Sequence, residues 1–143
     1  MPLYPMLDDR TGTELVTDND APVWNSKMNK AAWKMLLREI GKGEEVPGYA
    51  APARAKDLSG LPPACTFVGS LEPFLEETLA YAKRLRAHGI KVYMRVYKGC
   101  FHAFDINCYP TKVAKNARDY VMNVYRYAQK HYFAEQKREE VQI

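Results

Sequence analysis

The sequence predicts an α/β protein built on a small parallel sheet. Three short apolar segments alternate along the chain with three segments whose apolar residues recur at helical spacing, in the order strand, helix, strand, helix, strand, helix. The connections are long enough for crossovers between parallel strands, and such crossovers place helices on the faces of a sheet. We therefore expect three layers, with about three parallel strands flanked by helices.

The first predicted strand and helix lie in the N-terminal part of the chain. Residues 1–7 form a short apolar run, although its two prolines weaken the prediction of a strand. A polar stretch through Asp20 predicts a loop, and the next helix begins after Asn25 or Ser26 and ends at the glycines that follow residue 40. Its predicted apolar face carries Met28, Ala32, Met35, Leu36 and Ile40.

The second strand and helix follow a long connection that is rich in proline and glycine. Residues 64–68 form a continuous apolar run, which is typical of a strand covered on both faces. A helix then begins near Pro73 and ends at Gly89, which supplies a left-handed cap. Its predicted apolar stripe contains Leu75, Leu79, Ala82 and Leu85.

The third strand and helix complete the predicted fold. Residues 90–97 alternate strictly, so Ile90, Val92, Met94 and Val96 are predicted to share the apolar face of a half-exposed edge strand. A long helix follows over about 112–133, with an apolar stripe of Val113, Ala117, Tyr120, Val121, Val124 and Ala128. We expect one domain over 1–133 and a charged, frayed tail over 134–143.

Composition and charge exclude several classes of protein. The 143 residues are 47% apolar, which suits one packed domain and excludes wholesale disorder. Lys and Arg number 21 against 17 Asp and Glu, and these charges are dispersed, so a nucleic-acid partner is not expected. The apolar runs are too short for a membrane span, and no basic segment followed by an apolar stretch predicts a secretory signal.

The three cysteines are predicted to be reduced thiols. Cys65, Cys100 and Cys108 form no CxxC pair, and no Cys and His residues have the spacing of a zinc site. This pattern favours a cytoplasmic protein and disfavours a small redox or metal protein.

Two chemically useful side chains follow the last two predicted strands. Glu72 lies four residues after the strand at 64–68, and His102 lies five residues after the strand at 90–97. Because parallel strands end at one edge of a sheet, this carboxylate and this imidazole are candidates for an acid–histidine pair. Spacing alone leaves structural roles open for both residues. His88 and His131, both predicted to lie at helix ends, are poorer candidates.

Six sequence blocks occur in a fixed order between residues 4 and 105. They are YPMLDDR from Tyr4, APVW from Ala21, YAAPAR from Tyr49, DLSGLPP from Asp57, VGSLEPF from Val68 and HAFD from His102. Together these blocks resemble the C-terminal part of the hormone-sensitive-lipase-like, or acetyl esterase, branch of the α/β-hydrolases.

The resemblance implies hydrolysis of a carboxylic ester by a nucleophilic serine, with no metal or organic cofactor. The acid of this branch usually is the Asp of an L-D-P sequence, and Glu72 stands at that position. The general base is the His of an H-G-F motif, which matches His102. Ala103 replaces the usual glycine of that motif, a departure that affects the loop backbone.

The nucleophile that the resemblance implies has no counterpart in these 143 residues. In this branch the serine lies in a G-D-S-A-G turn, and the oxyanion hole comes from an H-G-G-G segment, both upstream of the block that Tyr4 begins. Ser26, Ser59 and Ser70 lie in no G-x-S-x-G context, and Ser70 is predicted to be a turn or capping hydroxyl. Cys100 is interpreted as incidental. We therefore expect no turnover by this chain alone.

Two interpretations of function remain open. In one, the chain supplies the acid and base of an esterase or lipase that cleaves a small ester when an N-terminal half completes it. In the other, it is a non-catalytic remnant or interaction module that forms a homo-oligomer through an exposed sheet edge or pairs with a separate N-terminal half. Candidates for lining a pocket, which are more often plain core, are Trp24, Trp33, Phe101 and Phe104.

Overall fold

The computed structural model describes residues 1–11, 20–41 and 43–133. Most of the predicted polar loop before Asp20 and the predicted tail at 134–143 lie outside these residues. The elements, in chain order, are α1 (Ser26–Leu36), a 3₁₀ turn (Pro52–Arg54), β1 (Ala64–Gly69), α2 (Leu75–Ala87), β2 (Val92–Tyr97), α3 (Phe104–Asn107) and α4 (Lys112–His131).

The sheet has two parallel strands with helices packed against it. Ala64 pairs with Val92 at one end of the ladder, and Gly69 pairs with Tyr97 at the other. On one face, Phe67 and Tyr97 pack in a core cluster with Ala114 and Ala117 of α4. Helix α2, which connects the two strands, contacts both of them. The chain is therefore an α/β structure in which the carboxyl ends of both strands lie at one edge.

The predicted first strand is wrong, because residues 1–7 do not form a strand. The Tyr4 N–H donates to the Phe67 carbonyl at 3.0 Å. A ladder cannot continue from this bond, since Pro2 and Pro5 lack an N–H. The Leu7 N–H donates instead to the side chain of Glu77, at 2.7 Å. The sheet consequently has two strands rather than about three.

Helix α1 ends earlier than predicted and buries a different face. It ends at Leu36, and the chain continues in a turn where the Ile40 N–H donates to the Leu37 carbonyl. Met35 and Leu36, which were predicted to be apolar contacts, are exposed. The side chains that this helix buries are those of Ser26, Asn29 and Trp33. Trp33 has the largest apolar side chain of the helix, so its burial gains more free energy than burial of a methionine.

The predicted faces of the other elements are partly wrong. In α2, Ala82 and Leu85 are buried as predicted, whereas Leu79 is exposed and the polar Glu77 and Thr78 are buried. In β2, Val96 is 45% exposed and Tyr97 is 8% exposed, because α4 covers the face that bears Tyr97. In α4, Val113 is exposed, and the buried residues are Ala114 and Ala117.

Two smaller predictions are confirmed. Gly89 follows α2 with a φ of +76°, the left-handed conformation predicted for its cap. Cys65, Cys100 and Cys108 are free thiols. None of the helices in the described part of the chain has both the length and the apolar character that crossing a bilayer requires.

Candidate active site

The candidate site is formed by the two loops that follow β1 and β2. Backbone hydrogen bonds join these loops directly. The Ser70 N–H donates to the Tyr97 carbonyl at 2.9 Å, and the Leu71 N–H donates to the Cys100 carbonyl at 3.0 Å. Each loop therefore fixes the path of the other at the carboxyl edge of the sheet, where open α/β sheets carry their functional groups.

Gly69 permits the close approach of the two loops. A Cβ atom at this position would lie 2.2 Å from the carbonyl oxygen of Cys100, so a side chain cannot be accommodated without moving backbone. The next residue adds a further link, because the Ser70 Oγ accepts a hydrogen bond from the Gly99 N–H at 2.8 Å. Ser70 is thus a loop hydroxyl, as its sequence context predicted.

The loops bring Glu72 and His102 into direct contact. The Nδ1 atom of His102 lies 2.7 Å from Oε2 of Glu72. The other carboxylate oxygen, Oε1, accepts a hydrogen bond from the Gly69 N–H at 2.6 Å. Both oxygens of Glu72 are therefore held, and the extra methylene relative to an aspartate does not prevent the contact. With Nδ1 donating to Glu72, Nε2 is the nitrogen that can accept a proton.

The two side chains differ in exposure in a way that suits proton transfer. The Glu72 side chain is fully buried, whereas 17% of the His102 side chain is exposed. A carboxylate buried beside an imidazole fixes the orientation of the ring and stabilises its protonated form. Burial strengthens this interaction, because the local dielectric constant is lower than that of water. The arrangement can thus hold a histidine that exchanges protons at Nε2.

Three aromatic rings surround the imidazole. The ring centroid of His102 lies 4.5 Å from that of Tyr4, 5.3 Å from that of Phe74 and 5.7 Å from that of Trp24. Trp24 was a predicted pocket residue. Tyr4 and Phe74 were not, although both lie in the sequence blocks that carry the resemblance. These rings restrict the orientations of His102 and the space beside it.

The other predicted pocket residues lie elsewhere. Trp33 is buried on α1 and lines an open groove that also includes Asp9 and Thr11. Phe104 packs between Phe67 and Tyr97 in the core, and Phe101 packs against the same core cluster. These three side chains are core or groove residues.

Ala103 occupies a backbone conformation that normally favours glycine. Its φ of +56° and ψ of +30° are left-handed, and it immediately precedes α3. An alanine in this region is disfavoured by about 1–2 kcal/mol relative to the right-handed region. The loop therefore keeps a glycine-like turn after His102 although the glycine is replaced.

The remaining nucleophile and histidine candidates have structural surroundings. Cys100 is 7% exposed, and burial raises the pKa of its thiol, which disfavours the reactive thiolate. His88 follows α2, and its Nδ1 lies 2.9 Å from the Arg84 carbonyl. His131 lies at the end of α4, with its ring 4.2 Å from that of Tyr127. Within the described residues, no group of three His, Cys, Asp or Glu side chains is placed to hold a metal ion.

A family profile describing the α/β-hydrolase fold, Abhydrolase_3, matches residues 1–106. The chain belongs to this family. The resemblance to the hormone-sensitive-lipase-like, or acetyl esterase, branch is thereby confirmed. Both loops of the candidate site, including Glu72 and His102, lie inside the matched region.

Individual proteins of known name are also similar to this chain. Esterase LipI of Mycobacterium tuberculosis is 29% identical over 102 residues, which are 71% of this chain and 32% of LipI. Among solved structures, a bacterial heroin esterase is 33% identical with a TM-score of 0.76 and covers 87% of this chain. Esterase LipW of Mycobacterium marinum covers 92% with a TM-score of 0.76, and its 24% identity shows the fold alone. The chain spans 40% of each of these two structures.

Proposed function

We propose that this chain carries the general base and the acid of a serine carboxylic-ester hydrolase. His102 is the base, Glu72 is the acid, and the nucleophile is a serine that does not lie among these 143 residues. The observation that carries the proposal is the 2.7 Å contact between His102 Nδ1 and Glu72 Oε2 at the carboxyl edge of an α/β-hydrolase sheet. The similar proteins named above are esterases, which favours an ester as substrate.

In the proposed chemistry, the Nε2 atom of His102 first accepts a proton and then donates it. Nε2 accepts the proton of the serine hydroxyl as the serine attacks the ester carbonyl, and then gives that proton to the departing alcohol. Water attacks the acyl-enzyme in the second half of the reaction, again with Nε2 accepting and returning the proton. Glu72 accepts the hydrogen bond from Nδ1 throughout and stabilises the imidazolium.

The surroundings of the pair favour a small ester. The ring centroids of Tyr4, Phe74 and Trp24 lie within 5.7 Å of the imidazole centroid, and these rings limit the volume beside the imidazole. No metal or organic cofactor takes part in this mechanism. The free thiols suit a reducing compartment, so we place the protein in the cytoplasm.

The proposal is tested by supplying the missing part of the site. The N-terminal part of the bacterial heroin esterase, up to the position that aligns with Met1, is joined to this chain, and hydrolysis of p-nitrophenyl acetate is measured. We expect turnover by the chimera and none by the chain alone. His102→Ala should abolish turnover, whereas His88→Ala, the same substitution at a helix end, should leave it unchanged. A chimera that retains full activity after His102→Ala would contradict the proposal.

A second candidate function is self-association without catalysis. It is favoured by the sheet itself, which has two strands in the described chain, so each strand has an edge with no strand beside it. Such edges bind further strands readily, and exposed apolar residues near them include Leu71 and Val96. The partner in this case is a second copy of the chain or a separate N-terminal half.

Light scattering on the purified chain distinguishes the two functions. A dimer that dissociates after Val96→Lys, together with a chimera that shows no esterase activity, would favour self-association. A monomeric chain with an active chimera would favour the esterase. The DNA upstream of Met1 offers a further observation, because a G-x-S-x-G sequence there would supply the serine in the same gene.

A further inference from the structure

An open groove lies between the N-terminal segment and α1. Its volume is about 630 Å³, which is in the range of sites for small molecules. Asp9 and Thr11 line it from the N-terminal segment, and the rest of its lining comes from α1 and the turn that follows this helix. Neither Glu72 nor His102 belongs to the lining. The groove is therefore separate from the candidate active site.

The apolar part of the groove is formed by three residues on one face. Trp33 is buried, and Leu37 and Ile40 are half-buried. The Leu37 N–H donates to the Trp33 carbonyl, and the Ile40 N–H donates to the Leu37 carbonyl, both at 3.0 Å. Because residues three and four positions apart are neighbours on a helical surface, their side chains form a continuous apolar strip. This strip suits a ligand with an apolar body.

The indole N–H of Trp33 is a buried donor that lacks an acceptor. The residue is 4% exposed, and its Nε1 atom has no hydrogen-bond partner among the described residues. An indole nitrogen only donates, and a buried donor without an acceptor is costly. Since Trp33 lines the groove, an oxygen atom of a bound ligand can supply the missing acceptor. The ligand should therefore carry an acceptor oxygen as well as an apolar body.

A row of cations borders the same groove. Lys30, Lys34 and Arg38 follow one another at intervals of four residues, so they lie along one side of α1 and of the turn that continues it. Arg38 pairs with the exposed Glu39. In the part of the chain that the structure describes, Lys30 and Lys34 form no ion pair with a carboxylate. Two ammonium groups are thus available to an anion.

The carboxylate in the lining does not offset these two charges. Arg54 of the 3₁₀ turn donates to both oxygens of Asp9, at 2.8 and 2.7 Å. The charge of Asp9 is thereby compensated, and the charge left at the border of the groove is positive. Charge complementarity favours an anionic ligand.

We propose that the groove binds an organic carboxylate with an apolar chain, such as a fatty acid of medium length. The chain lies on Trp33, Leu37 and Ile40, while the carboxylate faces Lys30 and Lys34 and accepts the indole N–H. An inorganic anion would leave the apolar strip empty, and an uncharged lipid would leave both ammonium groups unused. The inference does not rest on the proposed function, since the groove contains no residue of the acid–histidine pair.

The test is the binding of octanoate to the full chain at neutral pH, followed in a ¹H–¹⁵N NMR spectrum. The chain has two tryptophans and therefore two indole N–H resonances, and Trp24→Phe removes one and so identifies that of Trp33. We expect octanoate to shift the Trp33 resonance downfield and saturably, because its N–H gains an acceptor. A shift confined to the Trp24 resonance would place octanoate beside His102 and overturn the inference.

Two matched double variants test the contribution of the cations. Lys30→Gln/Lys34→Gln should raise the Kd of octanoate by about three- to tenfold, the range for the loss of two exposed ion pairs. Lys27→Gln/Lys83→Gln removes the same charge from exposed lysines outside the groove and should leave the Kd unchanged. 1-Octanol has the same chain without the charge and should bind more weakly than octanoate.

Three results would overturn the inference. One is an equal Kd for the two double variants, and another is binding of 1-octanol as tight as that of octanoate. The third is a Trp33 resonance that moves with protein concentration when octanoate is absent, because a second copy of the chain would then occupy the groove. An inactive chimera would leave the titration unaffected, so failure of the proposed function is a separate result.

Discussion

Glu72 and Glu77 are two buried carboxylates that lie five positions apart in the sequence, and they differ in what they contact. Each is 3% exposed, and each accepts a hydrogen bond from a backbone N–H, that of Gly69 for Glu72 and that of Leu7 for Glu77. The second oxygen of Glu72 contacts His102, whereas that of Glu77 accepts a hydrogen bond from the Thr11 hydroxyl. One carboxylate thus has a titratable partner that reaches solvent, and the other has neutral donors.

The difference shows that burial alone does not identify a functional acid. Glu77 holds the N-terminal segment against α2, since its two oxygens bind Leu7 and Thr11. Burial outweighs these hydrogen bonds and raises its pKa to about 7. A perturbed pKa often marks an active site, but the carboxylate of Glu77 contacts residues that it joins to α2, Leu7 and Thr11. Under the proposed function, the partner of the carboxylate, rather than its burial, distinguishes the acid Glu72 from Glu77.

The largest expected effect compares the same substitution at both sites in the chimera. Glu72→Gln should lower kcat/KM by about 10³–10⁴-fold, because a neutral amide neither fixes the tautomer nor stabilises the imidazolium. Glu77→Gln should change kcat/KM by less than about tenfold, as expected for a residue that does not touch the reacting atoms. Steady-state hydrolysis of p-nitrophenyl acetate measures both.

Equal losses in the two variants would break this comparison. The result would mean that Glu77 affects the site as strongly as Glu72, or that Glu72 acts only on stability. Circular dichroism of each variant at the assay temperature separates these possibilities, because an unfolded Glu72→Gln protein would indicate a role in stability. A folded Glu72→Gln protein with full activity would exclude the proposed role of the acid.

The next effect is the pH dependence of stability that Glu77 confers. Its pKa is about 7 in the folded chain and 4.5 as the ordinary value, so between these values the folded state binds the proton that the unfolded state has lost. Stability should therefore fall as the pH rises from about 4.5 to about 7, by up to about 3 kcal/mol. Urea unfolding at several pH values measures this slope.

Glu77→Gln is the control for that slope, because an amide does not titrate. The variant should lose the part of the pH dependence that lies between about 4.5 and 7 and be at least as stable as the parent at pH 8. Asp8 does not interfere, since Arg10 lowers its pKa and its effect falls at more acidic pH. An unchanged slope in Glu77→Gln would show that other groups titrate in this window.

A smaller effect concerns the backbone that holds Glu72. Gly69→Ala places a methyl group 2.2 Å from the Cys100 carbonyl, and backbone of one loop must shift to relieve the contact. We expect a loss of about 2 kcal/mol in the free energy of unfolding, within the range for overpacking. Gly41→Ala is a matched control, because its new Cβ would meet only the flexible side chain of Glu44. Equal stability of the two variants would contradict the proposed role of loop contact.

The sequence was sufficient to predict the elements around the site but not their faces. β1, α2, β2 and α4 were predicted within a few residues, and so was the meeting of Glu72 and His102, because parallel strands end at one edge. Residues 1–7 were wrongly predicted as a strand, because the prediction gave more weight to their apolar content than to the missing N–H groups of Pro2 and Pro5. Periodicity could not predict that α2 buries Thr78 and exposes Leu79, because tertiary contacts choose among overlapping faces.

Tyr4 and Phe74 illustrate a second limit. Both pack against His102, yet nothing in the spacing of aromatic residues distinguished them from Trp33 or Phe104. Which aromatic ring reaches the imidazole depends on the path of the loops, and that path is fixed by hydrogen bonds between distant segments, such as Tyr4 to Phe67. Local sequence does not encode such contacts. Tyr4 and Phe74 nevertheless both lie in sequence blocks that resemble the family.

The smallest predicted effect tests the turn that follows His102. Ala103 has a φ of +56°, and glycine adopts this region without a Cβ penalty, so Ala103→Gly should stabilise the folded chain by about 1 kcal/mol, offset in part by the greater flexibility of glycine when unfolded. Thermal unfolding measures the gain, and Ala114→Gly, inside α4, should instead destabilise by a similar amount. Because the substitution relaxes the turn without moving Glu72, it should also leave the Nδ1 contact of His102 intact. A chain that is destabilised by Ala103→Gly would mean that the alanine methyl group makes a packing contact that outweighs its backbone strain.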